Sequence, residues 1–148
     1  ARRGHEVSLC EKSNSLGGQI NLAQSLPGRA EFGGITSNLQ KELSKTTARV
    51  HLNCFVNLDV IENIAPDVVI SATGVARSIT AEHVAPGATV IDVGISRTEA
   101  GIVGDVDAVS VTGIAGALTP MPGGTGIMTV ACLMENTVNA AAMQGVQV

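Results

Sequence analysis

Aromatic residues are almost absent from this 148-residue sequence, which has two phenylalanines and neither tryptophan nor tyrosine. Proteins that bind single-stranded nucleic acids stack the bases on aromatic side chains, and this chain has almost none to offer. Positive charge is also scarce, because nine Lys and Arg residues face thirteen Asp and Glu residues and leave a formal net charge of −4. We therefore expect no nucleic-acid partner.

Cysteines and long apolar runs are also few. Cys10, Cys54 and Cys132 are far apart and form no CxxC pair, a pattern that predicts neither a metal site nor a disulfide framework and that fits the reducing cytoplasm. No apolar run approaches the ~20 residues that a membrane-spanning helix needs, so we expect no membrane partner. The N-terminal "ARRGHE" has no initiator Met and no apolar signal segment, so we expect the chain to begin inside a larger protein.

Small aliphatic residues and glycine are abundant in the sequence. Hydrophobic residues amount to 45% and glycines number 17, a profile typical of an α/β domain with a core of Val, Ile, Leu, Ala and Met. Strand-like apolar segments alternate with helix-like ones along the chain. We therefore predict a Rossmann-like doubly wound parallel sheet, in a single domain over residues 1–148. The strand-like segments are 5–12, 48–56, 67–74 and 88–95, and the helix-like segments are 34–46, 56–66, 79–84 and a final helix after residue 124.

Three of these segments carry predictions about burial. Residues 67–74, "DVVISATG", form a continuous apolar run of the kind found in fully buried parallel strands. The strand at 48–56 alternates apolar and polar residues, which predicts one buried face. In the final helix, helical spacing predicts a set of core-facing residues: Ile127, Val130, Ala131, Met134 and Val138.

Glu11 ends the first predicted strand. In a dinucleotide-binding βαβ unit, an acidic residue at the end of the second strand binds the ribose hydroxyls, about 20 residues after the start of the glycine-rich phosphate loop. Only ten residues precede Glu11. If Glu11 binds ribose, the sheet lacks its first strand and its glycine-rich loop within this chain; otherwise Glu11 is a solvated strand end.

The segment at 116–138, "GALTPMPGGTGIMTVACLMENTV", places prolines and glycines directly before the final helix. The loop either turns the chain into that helix or lays its backbone against a ligand, and the two interpretations are compatible. Glycines let backbone amides approach a ligand, and the following helix N-terminus favours a negative or electron-rich group.

Three aspartates invite a functional interpretation. Asp92 lies among apolar residues, where an uncompensated charge is costly, so we expect its carboxylate to be hydrogen-bonded at a loop in a structural role. Asp105 and Asp107, in "VGDVD", have a spacing compatible with metal ligands, but a turn cap is the favoured interpretation.

Residues 1–73 contain the order "EKS", "LGGQ" and "LPGR" followed by "EF", which resembles the FAD-binding region of flavoprotein reductases of the 2,4-dienoyl-CoA reductase and trimethylamine dehydrogenase type. That resemblance implies that Glu11 contacts the adenosine ribose of FAD. FAD is therefore the alternative cofactor.

Residues from about 68 to the end are similar to the C-terminal part of the methylenetetrahydrofolate dehydrogenase/cyclohydrolase family, through "VVISATG", "ITAEHVAPGATVIDVGISRT", "VGDVD" and "ALTPMPGGTGIMTVACLMENTVNAA". The resemblance implies an oxidoreductase of one-carbon metabolism that transfers hydride from 5,10-methylenetetrahydrofolate to NADP or NAD. It also implies a cofactor site and a folate-facing loop. The cofactor residues are Ala72, Thr73, Gly74, Gly94, Ile95 and Thr129, and the loop residues are Pro122, Gly123 and Gly124.

The two resemblances meet in "APDVVISATG", which suggests a chimera of a flavoprotein-like half, 1–73, and a folate-dehydrogenase-like half, 74–148. The loop also departs from the second family, whose usual PGGVGPMT is PGGTGIMT here. Thr125 replaces an apolar residue and Ile127 replaces a proline, and losing the preset φ of proline predicts a less rigid loop.

The resemblance to the folate enzymes implies that their catalytic lysine and tyrosine lie in an N-terminal folate domain with no counterpart here, and this chain has no tyrosine. We therefore expect no catalytic residue, an inactive isolated chain, and a folate substrate bound only together with the missing domain. Three alternatives stay open: a non-catalytic dinucleotide-binding or chimeric scaffold, a FAD/NAD-binding flavoprotein fragment, and a structural domain that forms a homodimer by strand pairing.

Overall fold

The computed structural model describes residues 1–99 and 101–145. The chain divides into two compact units, Ala1–Asn57 and Leu58–Val148. Each unit contains parallel strands and helices in alternation, so the predicted α/β class is confirmed.

The first unit contains two short strands and two helices: β1 (Ser8–Cys10), α1 (Gln19–Ala23), α2 (Phe32–Ser44) and β2 (Arg49–His51). The strands are parallel, with Leu9 opposite Val50. The predicted helix at 34–46 corresponds to α2. Of the predicted strand at 48–56, only the three residues of β2 form a strand. The buried face expected of that strand is absent, because Val50 is 40% exposed and two three-residue strands offer little surface to cover.

The second unit carries the larger sheet. Its elements are α3 (Leu58–Ile64), β3 (Val68–Ser71), a 3-10 helix (Ala81–His83), β4 (Thr89–Asp92), β5 (Ser96–Thr98), β6 (Gly101–Val103), α4 (Ala108–Val111), β7 (Ala117–Leu118) and α5 (Thr125–Met143). Strands β3, β4 and β7 form a parallel sheet with β4 in the middle. Strands β5 and β6 form an antiparallel hairpin that the sequence did not predict.

The core of this unit lies against β4. Val90, in the middle of β4, is fully buried, and so is Val111 at the end of α4. They pack with four further buried aliphatic residues, which are Ile79, Val84, Ala88 and Val106. The middle strand thus carries the buried residues, as expected for a strand that is paired on both sides.

Strand β3 was predicted to be fully buried, and this prediction is wrong. Val68 is 50% exposed and Ile70 is 65% exposed, whereas Ser71 is buried. In the described sheet β3 pairs only with β4, so it is an edge strand with one covered face. A continuous apolar run identifies a strand but not its place in the sheet.

The prediction for the final helix is also wrong. Ile127, Val130, Met134 and Val138 are 49–68% exposed, and Ala131 is exposed as well. Helical spacing identifies the apolar side of α5, but it does not identify an element that covers this side. Among the described residues, no helix has the length and apolar character needed to cross a membrane.

Candidate functional site at the carboxyl ends of the parallel strands

Asp92, the last residue of β4, has a buried carboxylate that is bound entirely by backbone amides. Its Oδ1 accepts hydrogen bonds from the amides of Gly94 at 2.9 Å and Asp105 at 3.0 Å. Its Oδ2 accepts from the amide of Val106 at 3.0 Å. Both oxygens are therefore occupied, and the expectation of a hydrogen-bonded structural carboxylate is confirmed.

The backbone of Asp92 connects β4 to the proline- and glycine-rich loop. Its amide donates to Oγ1 of Thr119 at 2.9 Å, and its carbonyl accepts from Oγ1 of Thr125 at 3.1 Å. The two threonines flank the loop on either side. The apolar residue that the family resemblance leads one to expect at position 125 has no group to make this contact, and no sequence pattern indicates it.

The carboxylate of Asp105 also accepts hydrogen bonds from backbone amides, in this case those of the turn after β3. The side chain is fully buried, and its Oδ2 accepts from the amides of Thr73 at 2.6 Å and Gly74 at 3.0 Å. The hydroxyl of Ser71 lies 3.4 Å from the same oxygen. Oδ1, in contrast, has no hydrogen-bond partner within the described part of the chain.

The cap interpretation of Asp105 is therefore supported. Within residues 1–99 and 101–145, no group of three or more His, Cys, Asp or Glu side chains is arranged to hold a metal ion. Asp107 precedes α4 as its N-cap residue, without a side-chain capping bond.

Two glycines of the predicted cofactor site are required by the local backbone. Gly74 has a φ of +71°, a left-handed conformation that side chains with a Cβ rarely adopt. Gly94 is buried, and a Cβ there would overlap the carboxylate of Asp105 and lie 2.7 Å from its backbone nitrogen. The close approach of Gly94 to Asp105 leaves no room for a side chain.

The loop before α5 is similarly restricted. The Met121–Pro122 peptide bond is cis, and Gly123 has a φ of +101°. A Cβ on Gly124 would overlap the carbonyl oxygen of Pro120. Pro122 and Gly123 are exposed, so this part of the loop is accessible from solvent.

The structure brings most of the predicted cofactor residues to one edge of the sheet. Ala72, Thr73 and Gly74 follow β3 and are exposed, whereas Gly94 and Ile95 follow β4. Ile95 is 65% exposed. Because β3 and β4 are parallel neighbours, both segments leave the sheet at the edge where open α/β sheets bind ligands.

The other two predicted cofactor residues, Thr129 and Glu11, belong to other segments of the chain. Thr129 is one turn into α5, exposed, and its hydroxyl donates to the carbonyl of Thr125 at 3.0 Å. Glu11 belongs to the first unit, where its Oε1 accepts from the amide of Ser13 at 2.7 Å. The Glu11 carboxylate thus caps its own turn.

The cysteines are free thiols. Burial raises the pKa of Cys10, and a hydrogen bond with the Cys54 side chain raises it further. Because a thiolate is the nucleophilic form, neither effect favours a reactive Cys10.

Two of the residues that hold this site together, Thr119 and Thr125, were not predicted from the sequence. Thr119 and Thr125 act through single hydroxyls, and no periodic pattern indicates such contacts. The position of Asp105 in "VGDVD" indicated a turn cap, but nothing in the sequence identified the amides of Thr73 and Gly74 as its partners.

Comparison with known proteins identifies the family to which this chain is similar. The family model for the tetrahydrofolate dehydrogenase/cyclohydrolase NAD(P)-binding domain matches residues 33–145. The bifunctional protein FolD of Acidiphilium cryptum is 56% identical over 77 residues, which are 51% of this chain and 28% of that relative. The chain therefore matches little more than a quarter of that protein's length.

Solved structures give the same family over more of the chain. The bifunctional 5,10-methylenetetrahydrofolate dehydrogenase/cyclohydrolase of Thermoplasma acidophilum is 26% identical with a TM-score of 0.61, covering 97% of this chain and 47% of its own. The 5,10-methylenetetrahydrofolate dehydrogenase of the silkworm Bombyx mori is 34% identical with a TM-score of 0.57, covering 97% and 48%. The Trypanosoma brucei enzyme, solved with NADP and an inhibitor, is 28% identical with a TM-score of 0.53, covering 91% and 42%.

These matches extend well into the segment that resembled flavoproteins, since the family model begins at residue 33. They support neither a chimera with a junction near residue 73 nor FAD as the cofactor. Rossmann-like strands of different families share apolar runs followed by glycine, which explains why a short segment can resemble both. The chain belongs to the family of tetrahydrofolate dehydrogenase/cyclohydrolase NAD(P)-binding domains.

Proposed function

We propose that this chain binds NADP or NAD at the carboxyl edge of the β3–β4–β7 sheet. We further propose that it is the cofactor domain of a dehydrogenase/cyclohydrolase that acts on 5,10-methylenetetrahydrofolate. One observation carries the proposal. The predicted cofactor segments at 72–74 and 94–95 are bound to two buried carboxylates at that edge, Asp105 and Asp92.

The electrostatics of this edge suit an anionic dinucleotide. A free carboxylate beside a pyrophosphate would repel it, but Asp92 and Asp105 are 2% and 0% exposed and accept backbone amides. Backbone amides bind both carboxylates, and the exposed residues at 72–74 and Ile95 carry no charge. Ile95, 65% exposed, offers an apolar contact of the kind that lines nucleotide sites.

The chain's own residues bind and orient the cofactor in this proposal. The nicotinamide cofactor supplies hydride acceptance when bound. Ala72, Thr73 and Gly74 border it on one side, Gly94 and Ile95 lie against its ribose and nicotinamide, and Thr129 approaches the nicotinamide amide. Pro122, Gly123 and Gly124 face the folate.

Calorimetric titration of the purified chain with NADP⁺, NAD⁺ and FAD tests the binding proposal. We expect saturable binding of at least one nicotinamide dinucleotide with a stoichiometry of one, and no saturable binding of FAD. A chain that is folded by circular dichroism but binds neither NADP⁺ nor NAD⁺ contradicts the proposal. Saturable binding of FAD alone returns the assignment to the flavoprotein alternative.

Thr129→Val is expected to weaken dinucleotide binding about 2- to 13-fold, because one hydrogen bond contributes about 0.5–1.5 kcal/mol. Thr137→Val is the matched control, since its hydroxyl makes the same bond one turn back, to Leu133 at 2.8 Å, on the same helix. Calorimetric dissociation constants are compared for the two variants. Equal affinities would remove Thr129 from the site.

We propose that the isolated chain does not oxidise 5,10-methylenetetrahydrofolate. The proposal is supported by the lack of tyrosine and by the relative of which only 28% is matched. Mixing the chain with NADP⁺ and this folate should produce no absorbance of the reduced cofactor. Turnover would contradict the proposal, because it would show that this chain alone is sufficient for catalysis. Cofactor binding without turnover is expected both for a cofactor domain and for a non-catalytic scaffold.

Four further proposals accompany this one. Glu11 binds a ribose of the dinucleotide, residues 1–148 act as a single domain, the chain resides in the cytoplasm, and it forms a homodimer.

The exposed apolar residues of α5, such as Met134 at 67%, support self-association. Light scattering should then give twice the 15.0 kDa chain mass, and a monomer at micromolar concentration contradicts the dimer.

A further inference from the structure

The turn that follows β3 is held from one neighbouring segment, Gly104–Asp105. The carboxylate of Asp105 binds the amides of Thr73 and Gly74 at the start of the turn. At its end, the amide of Arg77 donates to the carbonyl of Gly104 at 3.1 Å, and the amide of Ile79 donates to the carbonyl of Asp105 at 2.9 Å. The conformation of the whole turn therefore depends on where Asp105 lies.

The turn contains two left-handed residues that need such support. Gly74 has a φ of +71° and Arg77 a φ of +54°. A residue with a Cβ is sterically strained in this region, and such conformations persist where surrounding contacts determine them. Thr73, Gly74 and Arg77 are all exposed, so packing contributes little. The turn is held by its hydrogen bonds to Gly104–Asp105, together with the bonds that the Thr73 hydroxyl makes to Val75 and Ser78.

Asp105 is in turn positioned by Asp92. The amides of Asp105 and Val106 both donate to the Asp92 carboxylate. A chain of contacts thus runs from the end of β4, through Asp92 and Asp105, to the exposed amides after β3. Neither carboxylate reaches the solvent-facing side of the site.

We infer that Asp105 is a positioning residue for the dinucleotide: its Oδ2 holds the Thr73–Gly74 turn in the conformation that borders the cofactor. The inference rests on the proposed function. Asp105 touches neither cofactor nor substrate in this scheme, and it acts only through the backbone of the turn.

Because only one oxygen of Asp105 accepts hydrogen bonds, substitutions can test the hydrogen-bond geometry separately from the negative charge of the side chain. Oδ2 accepts every hydrogen bond, and Oδ1 has no partner among the described residues. In Asp105→Asn, the amide oxygen can take the place of Oδ2 and keep both amides, while the NH₂ group takes the place of Oδ1. Asp105→Ala removes the acceptor altogether.

The test compares NADP⁺ dissociation constants of the wild-type chain, Asp105→Ala and Asp105→Asn, measured below the melting temperature of each. Asp105→Ala should bind at least about tenfold more weakly, since hydrogen bonds to a charged group are worth about 1.5–3 kcal/mol. Asp105→Asn should stay within about threefold of the wild type, because a neutral amide oxygen retains the same geometry. Asp107→Ala, which removes a nearby carboxylate that makes no side-chain capping bond, should match the wild type.

The outcomes separate the inference from the function on which it rests. If the wild-type chain binds no nicotinamide dinucleotide, the proposed function fails. If the wild type binds and folded Asp105→Ala binds equally well, the positioning role is overturned and the proposed function stands.

A second measurement covers the case in which Asp105→Ala does not fold. Hydrogen exchange of the wild-type chain should show the exposed Thr73 and Gly74 amides protected at least about tenfold relative to the unstructured chain, because both are hydrogen-bonded to a buried group. Asp105→Asn should retain that protection together with NADP⁺ affinity. Unprotected amides in the wild type, or NADP⁺ affinity lost in Asp105→Asn while protection is kept, overturns positioning through the turn.

Discussion

Asp92→Asn is expected to lower the free energy of unfolding of the second unit by about 2–4 kcal/mol, because buried amides lose a charged acceptor and one of them then faces an NH₂ group. Both carboxylate oxygens of Asp92 accept backbone amides, so neither orientation of the asparagine side chain satisfies all of them. Thermal unfolding followed by circular dichroism measures the loss, which corresponds to a decrease in Tm of about 10 °C or more.

Two controls distinguish this effect from the general cost of removing a charge. Asp67→Asn changes an exposed aspartate just before β3 and should alter the free energy of unfolding by less than about 0.5 kcal/mol. Asp105→Asn should cost less than Asp92→Asn, because Oδ1 of Asp105 has no hydrogen-bond partner among the described residues. If Asp92→Asn is no more destabilising than Asp67→Asn, the three amide contacts do not support the fold as described.

Gly94→Ala is expected to destabilise the second unit by about 1–3 kcal/mol, the usual cost of overpacking a buried position, and to reduce dinucleotide affinity. The added Cβ would overlap the Asp105 carboxylate and crowd its backbone nitrogen at 2.7 Å. Asp105 must then move, and the Thr73–Gly74 turn must move with it. Chemical denaturation and NADP⁺ titration measure the two effects separately.

Gly126→Ala is the matched control. Gly126 lies in the first turn of α5, and a Cβ there would meet nothing within 4 Å. Alanine is favoured over glycine in a helix by up to about 1 kcal/mol, so this variant should be as stable as the wild type or more stable. Gly94→Ala with wild-type stability and affinity would show that the Gly94–Asp105 approach is not a constraint.

The sequence predicts the α/β class and most of the elements because local patterns determine them. Apolar runs of four to eight residues bounded by glycine and proline predicted β3 and β4, whereas the two-residue β7 was not predicted. The position of a strand in its sheet depends instead on long-range pairing, and for this reason the predicted burial of Val68 and Ile70 was wrong. The predicted packing of α5 was wrong because helical spacing does not name a partner.

The candidate site was predictable as a set of segments but not as a set of contacts. The family resemblance implied the glycines at 74 and 94 and the loop at 122–124. In the structure Asp92 contacts Gly94 and, through Thr119 and Thr125, both sides of that loop. The roles of Asp105, Thr119 and Thr125 depend on hydrogen bonds across 26 or more intervening residues. No local pattern carries such information, so these residues emerge only from the three-dimensional arrangement.

The most direct test of the central claim follows the backbone amide resonances of the isotopically labelled chain during titration with NADP⁺. If the dinucleotide binds at the carboxyl edge of the sheet, the amides of Thr73, Gly74 and Ile95 should shift in a saturable manner, while that of Ile61, buried in α3, should not. Saturable shifts confined to residues outside 72–74, 94–95 and 120–129, or no shifts in a folded chain, would contradict the account.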